Sequence, residues 1–381
     1  MKSPKIRFKE FQNDWNSRIL GDFNIEMLKG SGISKNDLNN NGKNPCIHYG
    51  ELFTYYKEFI TEIKSKTNNG SVFSKINDVL MPTSDVTPNG LAKASCIKFD
   101  NVALSGDILI LRCKDKIDGV FLAYIIRSNK KKILELVSGT TVYHIYAKDM
   151  KNFNLYYPND IKEQEKIGEF FRKIDGILDL ENSRFKKLEN FKKTMLDKLF
   201  VKDGADEPQI RLGSFKGEWN SRILGDICEI IPINSYLTTP KNNGKYPVIQ
   251  QGFEPIAGYS SQKNYFKNFD NVLLFGDHTL SLYKPKTPFF IASDGIKILK
   301  LKNKNSYFFK NLFLYKMPKS EGYKRHFSIL KEIETRIPND IKEQEKIGEF
   351  FRKIDGILEF SQKKITKLEN IKKYLLNKMF V

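Results

Sequence analysis

The sequence predicts an α+β fold in which two β-rich globular bodies are separated by two long antiparallel helices, with a pseudo-two-fold internal repeat. The stretch PNDIKEQEKIGEFFRKIDGIL occurs twice, at Pro158–Leu178 and at Pro338–Leu358, which indicates a duplicated architecture. Apolar residues recur at helical spacing within each copy of this stretch and in the residues that follow it. The segment before each copy contains short apolar or β-branched runs between Asn- and Gly-rich loops, which is typical of strands.

Each copy of the repeat predicts one long helix. Asn159 or Asp160 can cap the first, with Glu163 at the position of a capping-box carboxylate and Pro158 just before the start. Apolar residues then follow spacings of four and three at Ile167, Phe171, Ile174, Leu178, Phe185, Leu188, Met195 and Leu199. Three further residues widen this stripe: Phe170, Ile177 and Phe191.

This heptad-like period favours a coiled coil about 60 Å long. Two such helices in one chain can bury each other's stripes, so we predict an antiparallel pair. The alternative is that each helix packs only on its neighbouring body.

The start of the chain is repeated too, because WNSRILGD is identical at Trp15–Asp22 and Trp219–Asp226. Each module therefore begins with this segment, continues through a variable body and ends in a long helix. The predicted segments are a body at 1–157, a helix at 158–201, a second body at 202–337 and a second helix at 338–381. If the modules are two-fold related, each opening segment lies against the end of the other module's helix.

One sequence landmark recurs inside the bodies. Phe99–Val102 with Gly106-Asp107 is similar to Phe269–Val272 with Gly276-Asp277, so we expect the two to be equivalent points of a shared framework. Short helices are predicted to follow at about 121–132 and 306–317.

The charge distribution indicates where an anionic partner binds. The chain carries +19, of which the helical segments hold only +1 and +3. The remaining +15 lies on the two bodies, so a polyanion such as double-stranded DNA is expected to contact the bodies.

Other features bound the class of protein. No apolar run is long enough to span a membrane, and the N-terminus lacks the apolar region of a secretory signal. Cys46, Cys96, Cys113 and Cys228 are far apart in the sequence, which is typical of reduced thiols. We therefore expect a cytoplasmic protein without a membrane association.

The sequence shows no catalytic or cofactor-binding pattern. A Pro-Pro dipeptide, as an adenine methyltransferase motif requires, is absent, and so is a phosphate-binding loop. The four histidines are isolated from acids or cysteines at ligand spacing. We expect a non-catalytic chain with no metal or cofactor of its own.

Residues with donors for base edges and phosphates are the candidate DNA contacts. The first body offers Arg112, Lys114, Lys130, Lys131, Lys132, Thr140, Tyr143 and His144. The second body offers Gln250, Gln251, His278, Tyr323, Lys324, Arg325 and His326. The lysine run could equally be a solvated helix end, Tyr143 and His144 could be packing residues, and glutamines after a strand are also common in loops.

The order of these features resembles the specificity subunit family of type I restriction–modification systems. The resemblance covers essentially the whole chain, and its strength lies in the duplicated order rather than in any one motif. It is carried by Trp15, Leu20-Gly21-Asp22, Gly139-Thr140-Thr141, His144-Ile145, Pro158, Glu163-Gln164 and Lys166-Ile167, with Gly322–His326 and the second copies of the opening and helical motifs.

The resemblance implies two target recognition domains, each reading one half of a bipartite DNA sequence through the major groove. The helix pair would set the spacer and dock two methyltransferase subunits, which bring S-adenosylmethionine. Restriction subunits would add translocation and cleavage with ATP and Mg²⁺. Because the two bodies differ, the two half-sites would differ as well.

Two alternatives remain open. The chain could be the specificity-like part of a combined type II restriction enzyme whose catalytic parts lie elsewhere. It could also be a non-catalytic coiled-coil adaptor or an architectural DNA-binding protein, although the charge on the bodies argues against a purely protein-binding adaptor.

Overall fold

The computed structural model describes residues 3–114, 116–302, 305–320, 322 and 325–381. The chain forms two compact units. The first contains residues up to Glu181 together with Lys364–Val381, and the second contains Asn182–Lys363.

The strands of the first unit are β1 (Asn16–Ile19), β2 (Glu26–Lys29), β3 (Asn44–Ile47), β4 (Phe59–Ile60), β5 (Ser65–Thr67), β6 (Asp78–Pro82), β7 (Ser84–Asp85), β8 (Ser95–Ile97), β9 (Ala103–Leu104), β10 (Ile108–Arg112), β11 (Tyr143–His144) and β12 (Asn154–Tyr157). Its helices are α1 (Glu51–Thr54), α2 (Gly119–Ser128), α3 (Lys130–Leu134), α4 (Ala147–Met150), the start of α5 (Ile161–Leu199) and the end of α9 (Ile341–Met379), with 3-10 turns at Leu20–Asp22, Lys35–Asp37 and Pro88–Ala92.

The core of the first unit lies between a five-stranded sheet and α2. The sheet has the order β2-β10-β6-β8-β4, and the apolar residues of β6 and β10 are fully buried. Helix α2 starts where the Asp118 carboxylate accepts a 2.7 Å hydrogen bond from the Phe121 N–H, a typical N-cap. The predicted short helix is therefore present, divided into α2 and α3.

The strands of the second unit are β13 (Trp219–Ile223), β14 (Cys228–Ile231), β15 (Tyr246–Ile249), β16 (Ile256–Ser260), β17 (Val272–Gly276), β18 (Ser281–Tyr283), β19 (Phe290–Ile291), β20 (Ile296–Leu301) and β21 (Glu334–Pro338). Its helices are α6 (Leu224–Ile227), α7 (Ser306–Tyr315), α8 (Phe327–Leu330), the last part of α5 and the first part of α9 (Ile341–Met379), with 3-10 turns at Asn234–Tyr236 and Phe269–Asn271.

The two units share a strand framework. In the second unit the main sheet has the order β14-β20-β17-β18. Strand β20 precedes α7 and pairs with β17, as β10 precedes α2 and pairs with β6. Likewise β15 pairs antiparallel with β16 and parallel with β19, as β3 does with β5 and β9.

The strand framework shows that the expected equivalence of the two landmark sequences, Phe99–Val102 and Phe269–Val272, is wrong. Val272 begins β17, whose counterpart is β6, whereas Val102 lies just before β9. The two similar sequences therefore occupy different points of the framework.

Helices α5 and α9 each contain 39 residues and begin three residues after the predicted segments. Along α5 the apolar stripe is buried at Ile167, Phe171, Leu178 and Leu199, as its period predicts. Ile177 and Phe191 do not widen the buried stripe, since they are 47% and 46% exposed.

Within each unit, segments of α5 and α9 run antiparallel. In the first unit the Phe171 and Phe380 rings stack at 5.7 Å, and the Glu181 carboxylate lies 2.8 Å from Lys364 Nζ. Residue numbers thus rise along α5 as they fall along α9. In the second unit the Phe200 ring stacks on Phe351 at 6.0 Å.

The same residue pair of the repeat joins the helices in both units. Lys372 Nζ lies 2.6 Å from Asp175 Oδ1 in the first unit, and Lys192 Nζ lies 2.7 Å from Asp355 Oδ1 in the second. Burial raises the pKa of Asp355, but Lys310 and Lys192 together outweigh it and hold that pKa below its ordinary value. These ion pairs fix the register of the helices within each unit.

The repeated Glu-Gln dipeptide attaches the long helix to its body. Glu163 is 1% exposed and accepts two hydrogen bonds from Arg7, at 2.6 and 2.7 Å, and one from Trp15 Nε1 at 3.2 Å. Gln164 Nε2 donates to the Pro158 carbonyl at 2.9 Å. Glu163 therefore does not act as the predicted capping-box carboxylate. The predicted cap Asp160 is confirmed, since its carboxylate accepts from the Lys162 N–H at 2.9 Å.

The opening segments lie against helix ends as predicted. The Ile6 N–H donates to the Lys378 carbonyl at 3.0 Å in the first unit, and the Ile210 N–H donates to the Lys198 carbonyl at 3.0 Å in the second. Strand pairs β1–β12 and β13–β21 hold the segments in place. None of the helices in the part of the chain that the structure describes is long and apolar enough to span a bilayer.

Candidate nucleic-acid interface

In the first unit, a two-stranded ribbon and the loop before it carry three of the predicted residues, Thr140, Tyr143 and His144. Strand β11 pairs with β7, with Tyr143 opposite Asp85 and His144 opposite Ser84. Ser138 and His144 exchange backbone hydrogen bonds of 3.0 and 2.7 Å and close a loop that exposes Thr140. Glycine is required at position 139, where φ is +110° and a Cβ would lie 2.2 Å from the Val142 carbonyl oxygen.

Aromatic and cationic groups border this ribbon. The His144 ring stacks on Tyr146 at 5.8 Å with an interplanar angle of 12°, and Lys148 Nζ lies 5.8 Å from the centre of the Tyr146 ring. Val86 at the end of β7 is 74% exposed. We call Ser84–Val86, Gly139–His144 and Tyr146 the first-unit surface.

Sequence reasoning missed the loop that follows β3. The Tyr49 N–H donates to Ser105 Oγ at 2.8 Å, and the Tyr49 ring packs edge-on against Phe53 at 6.3 Å. Gly90 lies against both Phe53 and Asp85, so this loop neighbours the ribbon. The sequence does contain a signal for this loop, because His48-Tyr49 follow an apolar strand just as the predicted contacts Gln250-Gln251 do.

In the second unit the glutamines belong to a closely hydrogen-bonded loop between β15 and β16. The Gln250 N–H donates to the Pro255 carbonyl at 2.8 Å, and Gln250 Nε2 donates to the Glu254 carbonyl at 3.0 Å. Gln251 Oε1 accepts from the His278 N–H at 3.2 Å. The structure thus brings Gln250, Gln251 and His278 together.

The segment around Arg325 adjoins the same loops through Asp277. The His326 N–H donates to the Asp277 carbonyl at 3.1 Å, and the Phe327 N–H donates to the Asp277 carboxylate at 2.9 Å. Arg325 is exposed. We call Gln250–Pro255, His278–Ser281 and Arg325 the second-unit surface. The predicted contacts Tyr323 and Lys324 lie outside the described residues.

Two predicted contacts need correction. His326 is completely buried, with Nδ1 3.0 Å from the Asp277 carbonyl oxygen, so its side chain anchors the segment instead of facing a ligand. Arg112 is enclosed by β6: its Nη2 lies 3.0 Å from Asp78 Oδ2 and donates to the Phe73 carbonyl at 2.9 Å. The hydrogen bond to Asp78 raises the Arg112 pKa. The ion pair with Asp78 and the hydrogen bond to Phe73 indicate a structural role for Arg112.

The lysines of the first body that were predicted to contact DNA lie apart from the ribbon strands. Lys114 follows β10 and is exposed. Lys130 and Lys131 are exposed on α3, whereas Lys132 Nζ lies 5.6 Å from the centre of the Tyr156 ring. Helix α3 packs on the 3-10 turn Pro88–Ala92, which in turn packs on β7 and β11. Lys130–Lys132 therefore border the first-unit surface without forming its centre. Lys114 follows the Arg112–Asp78 end of the β10–β6 pair and lies at the opposite end of β6 from β7.

The two surfaces are built at equivalent points of the framework. The Ile145 N–H donates to the Thr83 carbonyl in the first unit, as the His326 N–H donates to Asp277 in the second. The Ser105 N–H donates to the Ile47 carbonyl, as the Ala292 N–H donates to Ile249. One backbone arrangement thus presents two different sets of side chains. Within the described ranges, no group of three His, Cys, Asp or Glu side chains is placed to hold a metal ion.

Comparison with known proteins gives one consistent result. Residues 12–190 and 216–370 each match the family described as type I restriction modification DNA specificity domain. The chain is 23% identical over 411 residues to the type I restriction enzyme MjaVIII specificity subunit of Methanocaldococcus jannaschii, with 96% of this chain and 91% of that protein covered.

Solved structures share the fold. The S subunit of the type I restriction–modification system of M. genitalium superposes with a TM-score of 0.71 at 17% identity, over 100% of this chain and 99% of that one. A chain from a study of complex assembly and conformational transition of the type I system gives 0.50 at 16% identity, over 97% and 98%.

Proposed function

Because the chain belongs to the family of type I restriction–modification DNA specificity domains, we propose that it is the specificity subunit of such a system and recognises a bipartite DNA sequence. The observation that carries this proposal is the pair of equivalent surfaces. Each family match contains one of them, and the two differ in their side chains. Two different half-sites, and hence an asymmetric target, are the expected result.

In this proposal the bodies at 1–157 and 202–337 are the target recognition domains. A β-ribbon such as β7–β11 is of a size that the major groove of DNA accepts. Thr140, Tyr143 and His144 would contact one half-site, and Gln250, Gln251, His278 and Arg325 the other. The exposed lysines of the first body, Lys114, Lys130 and Lys131, would bind phosphates, which position the protein but do not specify sequence.

The long helices would pair as an antiparallel coiled coil along their length and fix the spacer between the half-sites. The antiparallel segments and the matched Asp–Lys ion pairs within each unit support this assignment.

The helices also offer a repeated docking surface. Apolar side chains at equivalent positions of the two copies are exposed: Ile177 and Ile357, Leu180 and Phe360, and Phe191 and Ile371. Exposed apolar groups that recur in this way suit a partner that binds twice, and we assign them to two methyltransferase subunits. S-adenosylmethionine would be bound by those subunits, and ATP and Mg²⁺ by restriction subunits, so this chain would be non-catalytic.

A separate assay distinguishes each alternative from the proposed function. A specificity-like part of a combined type II restriction enzyme, supplied with its own catalytic subunit, would cleave at its target without ATP. An adaptor would bind protein but show no salt-dependent affinity for DNA.

We expect the purified chain to bind random-sequence duplex DNA with an affinity that falls steeply with salt. About six phosphate contacts predict a slope near −5 in a plot of log affinity against log salt, which is roughly a thousandfold loss between 50 and 200 mM. Fluorescence anisotropy across a salt series measures it. A flat response would favour the adaptor. Adding the methyltransferase subunit should then concentrate binding on one bipartite sequence, which methylome sequencing of the host identifies.

Replacing Arg325 with Ala is expected to weaken binding to that target by about 1–3 kcal/mol and to relax the preference at one position of one half-site. Arg325 is exposed, while the buried His326 beside it holds the segment on Asp277. Lys331→Ala is the matched control, since Lys331 is a 47% exposed cation that forms an ion pair with the neighbouring Glu332. Unchanged affinity and preference in the Arg325 variant would remove that residue from the interface.

A further inference from the structure

Phe253 is the most exposed apolar side chain among the described residues, at 104% of its reference area. Single exposed apolar residues are common on protein surfaces, so exposure alone does not imply a role. Two further observations indicate a role for Phe253. The loop that carries Phe253 is fixed by hydrogen bonds, and it belongs to the second-unit surface.

The loop is anchored on both sides of Phe253. The Gln250 N–H and side chain bind the carbonyls of Pro255 and Glu254 and close the base of the loop. The Gly252 N–H donates to Ser281 Oγ at 2.9 Å, and Gly252 has a φ of +118°. The conformation therefore presents the phenyl ring outward on a preorganised support, which lowers the entropic cost of binding.

The equivalent loop of the first unit is built differently. After β3 the chain turns into α1, and the Tyr49 ring packs on Phe53, while Lys93 Nζ lies 5.2 Å from the centre of the Phe53 ring. The Tyr49 and Phe53 rings of that loop contact their own unit, while Tyr55, just after α1, is 63% exposed. A fully exposed phenyl ring two residues after the strand-end glutamines is thus a feature by which the second unit's surface differs from the first.

The neighbouring groups indicate what the ring contacts. Glu254 is exposed beside Phe253, and a carboxylate is disfavoured in a minor groove, where the negative potential is enhanced when the groove narrows. In the major groove a carboxylate can accept from cytosine N4, and the apolar group available there is the C5-methyl of thymine. We propose that Phe253 contacts the methyl group of a thymine in the half-site read by the second unit. This inference rests on the proposed function.

The test uses the full chain assembled with its methyltransferase subunits and the duplex target found by methylome sequencing. Each thymine is replaced in turn by deoxyuridine, which removes only the methyl group. We expect one position, confined to one half-site, at which deoxyuridine weakens wild-type binding about 3- to 10-fold. Phe253→Ala should weaken binding to the normal target by a similar factor and abolish the deoxyuridine effect at that position, while Phe253→Leu retains part of it.

Ile256→Ala is the control, because Ile256 is a 43% exposed apolar residue just beyond the same loop. It should leave the deoxyuridine effect unchanged. A deoxyuridine effect that persists in Phe253→Ala, or unchanged binding by that variant, overturns the proposal. A rise in 2-aminopurine fluorescence at one base step of the half-site, seen with the wild type but not with Phe253→Ala, also overturns the proposal. It would mean that the phenyl ring inserts between bases. A wild-type complex that binds no sequence preferentially would instead contradict the proposed function itself.

Discussion

A chain that lacks residues 180–186 and 360–366 is expected to direct methylation to a target with a shorter spacer and unchanged half-sites. Seven helical residues span about 10 Å, and a base pair about 3.4 Å, so the spacer should shorten by at most about three base pairs. The deletions remove one heptad from each long helix. They retain the ion pairs Asp175–Lys372 and Lys192–Asp355 that fix the helices within each unit.

The control removes residues 180–186 alone. The two helices then have unequal lengths, so both ion pairs cannot form in register, and we expect loss of methylation at every spacing. Methylome sequencing of cells that carry each variant with the methyltransferase subunit provides the readout. An unchanged spacer after the double deletion would show that the helices do not set it, while altered half-sites would show that the recognition domains do not act independently.

Replacing Arg7 with Ala is expected to destabilise the first unit by about 3–5 kcal/mol, because it leaves Glu163 as a buried charge without its ionic partner. Glu163 is 1% exposed and takes both hydrogen bonds of the Arg7 guanidinium. Hydrogen exchange is the suitable measurement, since it reports each unit separately in a chain whose unfolding need not be two-state. Protection should fall in β1, β12 and the start of α5.

Arg211→Ala is the matched variant in the second unit. Arg211 Nε lies 3.4 Å from Glu343 Oε1, and burial raises the pKa of Glu343 above its ordinary value. The weaker contact and the raised pKa predict a smaller loss, about 1 kcal/mol. Equal losses in the two variants would mean that the opening segments contribute through packing and not through the ion pair.

The repeat made much of the framework predictable. A heptad-like stripe specifies a long helix and its buried side, so Ile167, Phe171 and Leu178 are buried as predicted. The duplicated opening segment correctly predicted the backbone contacts of Ile6 and Ile210 with helix ends. Both inferences depend on local periodicity or on symmetry, which a sequence displays directly.

Residues whose role depends on distant partners could not be predicted in this way. Glu163 occupies a capping position in the sequence, but strand pairing brings Arg7 and Trp15 to it across about 150 residues. His326 lies in a basic, aromatic segment typical of an interface, yet Asp277 anchors it in the interior. Nothing in the local sequence distinguishes Phe253 from other loop residues, since its exposure depends on the hydrogen bonds that hold its loop.

The division of the chain between the units has a consequence for synthesis on the ribosome. The second unit is one continuous segment, Asn182–Lys363, and can complete its core before residues 364–381 are made. The first unit is discontinuous: Met379 and Phe380 are buried in the core that begins with Trp15 and Leu20. The residues that are made first therefore cannot complete their core until Met379 and Phe380 have left the ribosome. A nonsense codon between those of Lys363 and Met379 would leave the core of the first unit exposed and the second unit intact.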